Sequence, residues 1–259
     1  MQTKKIAIFN RALHDSYKNI AKGILECYKN KKSAIVHFIY YANSDKIESN
    51  PEYKKSLENA DFLLPDGIAF QLIFARKIMM KGKNFWYFLK NIRKTLPKIP
   101  STNGTDFVPY FLNFLVKKNQ KFDISLYGSP QEVTEKMKDW VNQTCPDTLI
   151  FAKNGFEEWK EKDFVPAKKD KIHILLVGRG TPLQETWIEK NRELLEKNNY
   201  LIISVGGLFE FLTNTEKRAP KWVQKIRCEW LWRALRYPKK NFKKTLKSLK
   251  VFVDVILNQ

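Results

Sequence analysis

Short apolar runs rich in β-branched residues alternate along this chain with longer stretches in which apolar positions recur every three or four residues. Lys5–Phe9, Ala34–Tyr40, Phe62–Leu64, Ile124–Tyr127, Leu149–Ala152, Ile172–Val177 and Leu201–Val205 predict strands. His14–Lys29, Pro51–Ala60, Gly67–Met79, Thr105–Lys118, Gln131–Gln143 and Pro182–Lys197 predict helices. Strand and helix in turn make βαβ units, so the expected fold is α/β: a Rossmann-like, mainly parallel sheet with helices on both faces. Two segments stand outside the alternation. Between Lys81 and Pro100, Phe85, Phe88, Leu89, Ile92 and Leu96 form one helical face, and Lys90, Arg93 and Lys94 another. After Arg218 the chain reads as helical and basic to its end.

Composition adds a core and a partner. With 43% hydrophobic residues in 259, the chain can bury one large domain, and the absence of repeats or linkers before about residue 215 gives a 1–214 α/β body. Residues 215–259 then form a helical appendage. The net charge of +20 favours an anionic partner, whether nucleic acid, anionic lipid or a phosphorylated substrate. Thirteen Lys and Arg against the single acid Glu229 lie between Lys217 and Lys250, so most of the excess sits in the appendage. No run approaches the roughly 20 apolar residues that cross a bilayer, and Asn10 and Arg11 interrupt Ile6–Phe9 before a signal-peptide core can form. A cytoplasmic protein is expected. Cys27, Cys145 and Cys228 are isolated and read as reduced thiols rather than metal ligands, and His14, His37 and His173 read as structural.

Two loops leave predicted strands and enter predicted helices, which is where α/β sheets bind ligands. In Leu63-Leu64-Pro65-Asp66-Gly67, the glycine permits a tight turn, and the Asp66 carboxylate either caps the helix or acts on a ligand as a general base. In Val177-Gly178-Arg179-Gly180-Thr181-Pro182-Leu183-Gln184-Glu185, the Gly178-x-Gly180 turn and the helix start suit a diphosphate, and equally suit a plain tight turn. Gln184 stands on the first turn of that helix. The chain contains no Asp-x-Asp pair to hold a divalent ion, so if this loop does hold a diphosphate, protein charge would have to neutralise it, and no cofactor is expected. Arginine forks are suited to that task.

The appendage carries Lys217-Arg218-Ala219-Pro220-Lys221-Trp222 and Glu229-Trp230-Leu231-Trp232-Arg233. Tryptophan beside cations suits a membrane interface or a solvated helix packed on the body. The stripe Phe242, Leu246, Leu249, Val253 and Ile256, flanked by lysines, favours an anionic membrane surface.

These segments, with Val205-Gly206-Gly207-Leu208-Phe209-Glu210-Phe211, together resemble the WecG/TagA/CpsF family of bacterial glycosyltransferases over nearly the whole chain. The block from Val205 to Arg233 looks like the family's GGxFDF, RAPxW and EWLxR sequence, with Glu210 in place of aspartate. Pro65-Asp66-Gly67, Gly104-Thr105-Asp106, Gly178-Arg179-Gly180 and Pro182-Leu183-Gln184-Glu185 follow in the family's order.

The resemblance implies an inverting, metal-independent transfer from a UDP-sugar, of N-acetylmannosamine type or related, to a polyprenyl-diphosphate-linked sugar in cell-surface polysaccharide synthesis. It implies Asp66 as the general base. Asn43, Tyr41, Gly67, Gly104, Thr105, Asp106, Gly178, Gly180, Gln184, Glu185, Gly206, Gly207, Arg218 and Arg233 become substrate-binding positions. The enzyme would sit peripherally on the inner face of the cytoplasmic membrane, with no nucleic acid as partner and a homo-oligomer allowed. Two departures bear on specificity: Tyr41-Ala42-Asn43 stands where the family usually reads Thr-x-Asn, and Ser101 where it carries arginine. Other readings of the basic tail are a nucleic-acid-binding module and an inactive membrane scaffold.

Overall fold

The computed structural model describes residues 8–79, 85–100, 102–225, 228–236 and 238. In chain order it contains α1 (Tyr17–Lys31), β1 (Ala34–Tyr40), α2 (Ser44–Ser49), α3 (Pro51–Asn59), β2 (Phe62–Asp66), α4 (Ile68–Met79) and α5 (Phe85–Thr95). There follow α6 (Gly104–Lys117), β3 (Phe122–Gly128), α7 (Gln131–Thr144), β4 (Leu149–Lys153) and β5 (Ile172–Gly178). The series closes with α8 (Leu183–Lys190), α9 (Arg192–Lys197), β6 (Tyr200–Ser204), α10 (Leu208–Leu212), α11 (Lys221–Lys225) and α12 (Glu229–Arg236).

Six strands form one sheet in the order β2-β1-β6-β5-β3-β4, and every pairing is parallel. The Rossmann-like α/β fold read from the alternation is therefore present. Strand periodicity divides the core. Ile174, Leu176, Leu201 and Ile203 face the layer containing α1, α6 and α7, whereas Leu175, Val177, Tyr200 and Ile202 face the layer containing α3 and α8. All eight are essentially inaccessible to water. A third, smaller cluster joins Leu72, Ala75 and Met79 of α4 to Phe88 of α5 and to Ile99.

Local chemistry sets the helix ends. Ser16, Asn50 and Asn103 accept from the backbone N–H groups of Asn19, Tyr53 and Asp106 at the starts of α1, α3 and α6, and Pro51 opens α3. The buried histidines are structural, as expected. His37 lies between the hydroxyls of Ser204 at 3.0 Å and Ser56 at 2.9 Å, and burial pulls its pKa down to about 3. His173 meets the Ser125 hydroxyl at 2.8 Å, and burial lowers its pKa to about 4.

The predicted strand Lys5–Phe9 is a correction. Residues 5–7 lie outside the described residues, and residues 8–10 are helical. Ile8 is buried in the α3/α8 layer, and the Arg11 guanidinium donates to the carbonyls of Leu57 at 3.0 Å and Ala60 at 2.7 Å, at the end of α3 where helical donors run out. The segment touches the sheet only through an isolated bridge from Ala12 to Leu63. A short apolar run carries no periodicity that tells a strand from a buried turn of helix.

The predicted helix Pro182–Lys197 is two helices broken at Asn191, and β2 runs on through Pro65 to Asp66. No described helix is long and apolar enough to cross a membrane. The stripe from Phe242 to Ile256 lies outside the described residues.

One close approach governs the sheet's carboxyl edge. Gly128 and Gly178 end β3 and β5 side by side, and a Cβ on Gly128 (φ +149°) would lie 2.4 Å from the Gly178 backbone. The Phe209 ring of α10 covers Gly178, and the Ser129 hydroxyl donates to Glu210 at 3.1 Å. Phe209 thus packs against the end of β5 where the sheet changes winding direction between β5 and β3. Gly180 (φ +75°) has open space around its Cβ position. Gly128→Ala is expected to cost at least about 3 kcal/mol because backbone has to move. Gly180→Ala should cost only about 1–2 kcal/mol, for the left-handed φ alone. Chemical denaturation of both variants checks the order, and equal losses would contradict the close approach.

Candidate active site

A crevice lies at the carboxyl ends of β2, β1 and β6, with Thr181 and Gln184 from beyond β5 in its lining. It is continuous with solvent and sits where an open α/β sheet binds ligands. Asp66 is the last residue of β2, paired in register with Tyr40 of β1, and both line the cleft. Gly67 (φ +92°) turns the chain into α4, and a Cβ there would lie 2.9 Å from the Tyr40 ring, so glycine is required on two grounds. The opposite wall is the N-terminus of α6, with Asn103, Gly104 and Thr105. Pro109 inside α6 supplies no N–H to the Thr105 carbonyl one turn back, and the first-turn amides give this wall a positive character.

The floor is a buried polar hinge between the loops after β5 and β6. Gln184 is 2% exposed. Its side-chain carbonyl accepts from Gly206 N–H at 3.0 Å, and its amide donates to Glu185 at 2.8 Å. The same Glu185 oxygen accepts from the Thr181 hydroxyl at 3.0 Å, and Lys46 of α2 donates to the Thr181 carbonyl at 2.6 Å. Glu185 is fully buried, and its second oxygen has no hydrogen-bond partner among the described residues. Burial pushes its carboxyl pKa above the ordinary value, against the hydrogen bonds from Gln184 and Thr181.

Arg218 reaches the cleft from the segment before α11. Its guanidinium holds Asp106 of α6 in a fork, at 2.5 and 2.9 Å, and approaches Glu229 of α12 at 3.4 Å. Asp106 is pulled below the ordinary carboxylate range, first by this hydrogen bond, and Arg218 is raised by it. The start of the appendage is thus fastened to the body, with Ala219 and Val223 buried beside it.

Of the residues singled out in the sequence, Asp66, Gly104, Thr105, Gln184, Gly206, Gly207 and Arg218 converge on this cleft. Gly67, Asp106 and Glu185 stand directly behind it through the contacts described. Gly178 and Gly180 do not line it; the turn that does is Gly206-Gly207, and the Arg179 side chain points away, donating to the Gly155 carbonyl and lying over Tyr127. Asn43 starts α2 outside the lining. Tyr41 packs its ring on Phe9 and Phe70, 5.2 and 6.0 Å away, on the other side of β1. Arg233 falls within α12.

Phe38, Tyr40 and Ser204 line the cleft from the strand ends although no motif marks them, and Tyr17 is close enough to feel the charge of Asp66. Strand alternation places Phe38 and Tyr40 on one face and was signal enough for both. Tyr17 could not be found that way. Burial, followed by the charges of Asp106 and Asp66, raises its phenol to about 12. Among the described residues no three His, Cys, Asp or Glu side chains gather as a metal site.

The sequence matches the Glycosyl transferase WecG/TagA/CpsF family over residues 6–259. The chain is similar to the N-acetylglucosaminyldiphosphoundecaprenol N-acetyl-beta-D-mannosaminyltransferase of Bacillus spizizenii strain W23. The two are 28% identical over 210 residues, which span 78% of this chain and 72% of that protein. Proteins of the same name from Staphylococcus aureus strains MW2 and NCTC 8325 are each 30% identical, over 131 and 113 residues. Those matches span 50% and 44% of the relatives' length, so the chain covers about half of each.

The buried carboxyl in the floor has a signature in stability. A carboxyl whose folded pKa is raised holds its proton after the unfolded chain has released it near the ordinary value of 4.5, so its contribution falls as pH rises from there to the folded pKa. Melting temperatures of the parent and of Glu185→Gln, measured from about pH 4.5 upward, should therefore diverge, the parent losing ground to the variant. Titration of histidines cancels in the difference. Parallel curves would show that Glu185 is not held protonated.

Proposed function

Because the chain belongs to the WecG/TagA/CpsF family of glycosyltransferases, we propose that it moves a hexose of N-acetylmannosamine type from a UDP-sugar to a polyprenyl-diphosphate-linked sugar. The observation that carries this reading is the convergence of Asp66, Gln184, the Gly206-Gly207 turn and Arg218 on one cleft beside the N-terminus of α6. The names of the relatives, as mannosaminyl transferases acting on a diphosphoundecaprenol-linked N-acetylglucosamine, support the acceptor class.

In the proposed mechanism Asp66 takes the proton of the acceptor hydroxyl as its oxygen bonds to the anomeric carbon. The bond from that carbon to the diphosphate breaks on the opposite side, its electron pair leaves with UDP, and the configuration inverts. The departing charge is met by the first-turn amides of α6 and by Arg218. The Gly206 N–H is engaged by Gln184, so this hinge shapes the pocket and leaves anion binding to other donors. Asp106 already occupies the Arg218 fork, so a diphosphate must share or displace that carboxylate. The reaction would take place on the inner face of the cytoplasmic membrane, with the appendage against anionic lipid.

The direct test incubates the protein with a panel of UDP-hexoses and a short-chain polyprenyl-diphosphate-N-acetylglucosamine. UDP release is followed and the disaccharide product is identified by mass spectrometry. Absence of transfer from every donor would overturn the reading. Asp66→Asn should reduce kcat on the order of 10² to 10⁴-fold while donor binding, measured by calorimetry, stays close to that of the parent. Full turnover in that variant would remove Asp66 from the role of base. Arg218→Ala should lower kcat/KM for the donor roughly 10- to 100-fold, the loss of one charge-assisted contact. An unchanged value would place Arg218 in a purely structural role.

A further inference from the structure

The 39 positions between Asp66 and Asp106 contain no acidic residue and eight basic ones: Arg76, Lys77, Lys81, Lys83, Lys90, Arg93, Lys94 and Lys98. Three of these fall on α5, whose inner face seats Phe88 and Ile92 against α4, with Leu96 just beyond its end in the same cluster. At 100° per residue, Trp86, Lys90, Arg93, Lys94 and Tyr87 occupy the opposite face, within a sector of roughly 120°. Trp86 is 76% exposed and Tyr87 43%, and Lys90, Arg93 and Lys94 are all exposed. A stable soluble face has no need of a tryptophan so open to water in a ring of cations. An interfacial helix combines the two, the indole sitting at headgroup depth and the cations meeting lipid phosphates.

The position of α5 connects this face to the cleft. Leaving α5, the chain passes Ile99, whose carbonyl accepts from the buried Gln71 amide of α4 at 2.6 Å. Thr102 N–H then bonds the Pro65 carbonyl at 3.2 Å, next to Asp66, and Asn103, Gly104 and Thr105 form the cleft wall. Whatever holds α5 therefore orients that wall.

We propose that the outer face of α5 is a docking surface for anionic lipid, separate from the C-terminal appendage, and that it sets the cleft toward the bilayer. A second copy of the chain does not fit as occupant, because two such faces would repel. The docking itself stands on α5 alone; its use in presenting a lipid-linked acceptor rests on the function proposed above.

The test uses the full chain and flotation with vesicles, at lipid concentrations that span the whole isotherm. One set contains about one-third phosphatidylglycerol in phosphatidylcholine, and the other is phosphatidylcholine alone. The triple variant Lys90→Gln/Arg93→Gln/Lys94→Gln should lower partition onto the anionic vesicles on the order of 100-fold, at roughly fivefold per cation, with little change on neutral ones. Trp86→Ser should lower partition even at high salt, where the cations are screened. All four side chains are exposed, so melting temperatures should match the parent's and confirm folding.

Partition onto anionic vesicles unchanged in both variants would overturn the proposal. So would a triple variant that loses binding to a single-stranded oligonucleotide while keeping vesicle binding, which would make the face a nucleic-acid site. Transfer to a short-chain, water-soluble acceptor should be equal in parent and variants. If no protein transfers sugar to that acceptor, the proposed function fails, and the vesicle result still decides the role of α5.

Discussion

A parallel sheet buried on both faces constrains everything else in this molecule. Its strands all point their carboxyl ends the same way, so the loops that follow them gather along one edge, and helices must cover both faces because neither can meet water. The alternation of Ile174 and Leu176 with Leu175 and Val177 meets that demand from both sides within a single strand. Residues from distant parts of the sequence, Asp66 at the end of β2, Gln184 after β5 and Gly206 after β6, line one cleft because of it. Which stretch of the edge opens into a cleft is then decided by small residues. Gly128 and Gly178 let β3 and β5 end in close backbone contact with Phe209 against Gly178, while Gly206 and Gly207 line the crevice at the ends of β2, β1 and β6.

The cleft is held by polar contacts that are themselves buried, and this makes its geometry stiff. Gln184 ties two loops through one amide, and a deviation in either would leave a buried donor or acceptor unsatisfied. Glu185 is the cost of that arrangement: a carboxyl deep in the body with one oxygen unpartnered among the described residues. Arg218 works on the rim, where its fork on Asp106 joins the appendage to the first turn of α6. A ligand that drew on Arg218 would loosen the same contact that fastens the appendage.

Surface charge is distributed unevenly along the chain, and the unevenness has a direction. The basic residues of the appendage were conspicuous as a run in sequence. Those of α5 become a coherent patch only when the helix is wound, because Trp86, Lys90 and Arg93 are brought into line by helical periodicity and by the burial of Phe88 opposite.

Much was decided by the amino-acid sequence alone. The periodicities of two and 3.6 named the α/β class and most of its elements, and the ordered motifs from Pro65-Asp66-Gly67 to Arg233 pointed to the family that the comparison shows. Local rules succeeded where a residue's role depends on its near neighbours, as with the tight turn at Gly67. They failed where distant packing chooses between local options. Lys5–Phe9 read as a strand because five apolar-rich residues do not reveal what they will pack against, and the Arg11 anchor to α3 settles that for residues 8–10. Tyr41 was singled out by its place in a motif, while its neighbour Tyr40 faces the cleft, because adjacent residues at a strand's end point to opposite sides. The Gly178-x-Gly180 loop suited a diphosphate and a plain tight turn equally, and only tertiary packing shows that Phe209 lies against Gly178 while Gly180 stays open. Contacts between residues far apart in sequence carry the free energy that settles such choices, and their partners come together only in the folded chain.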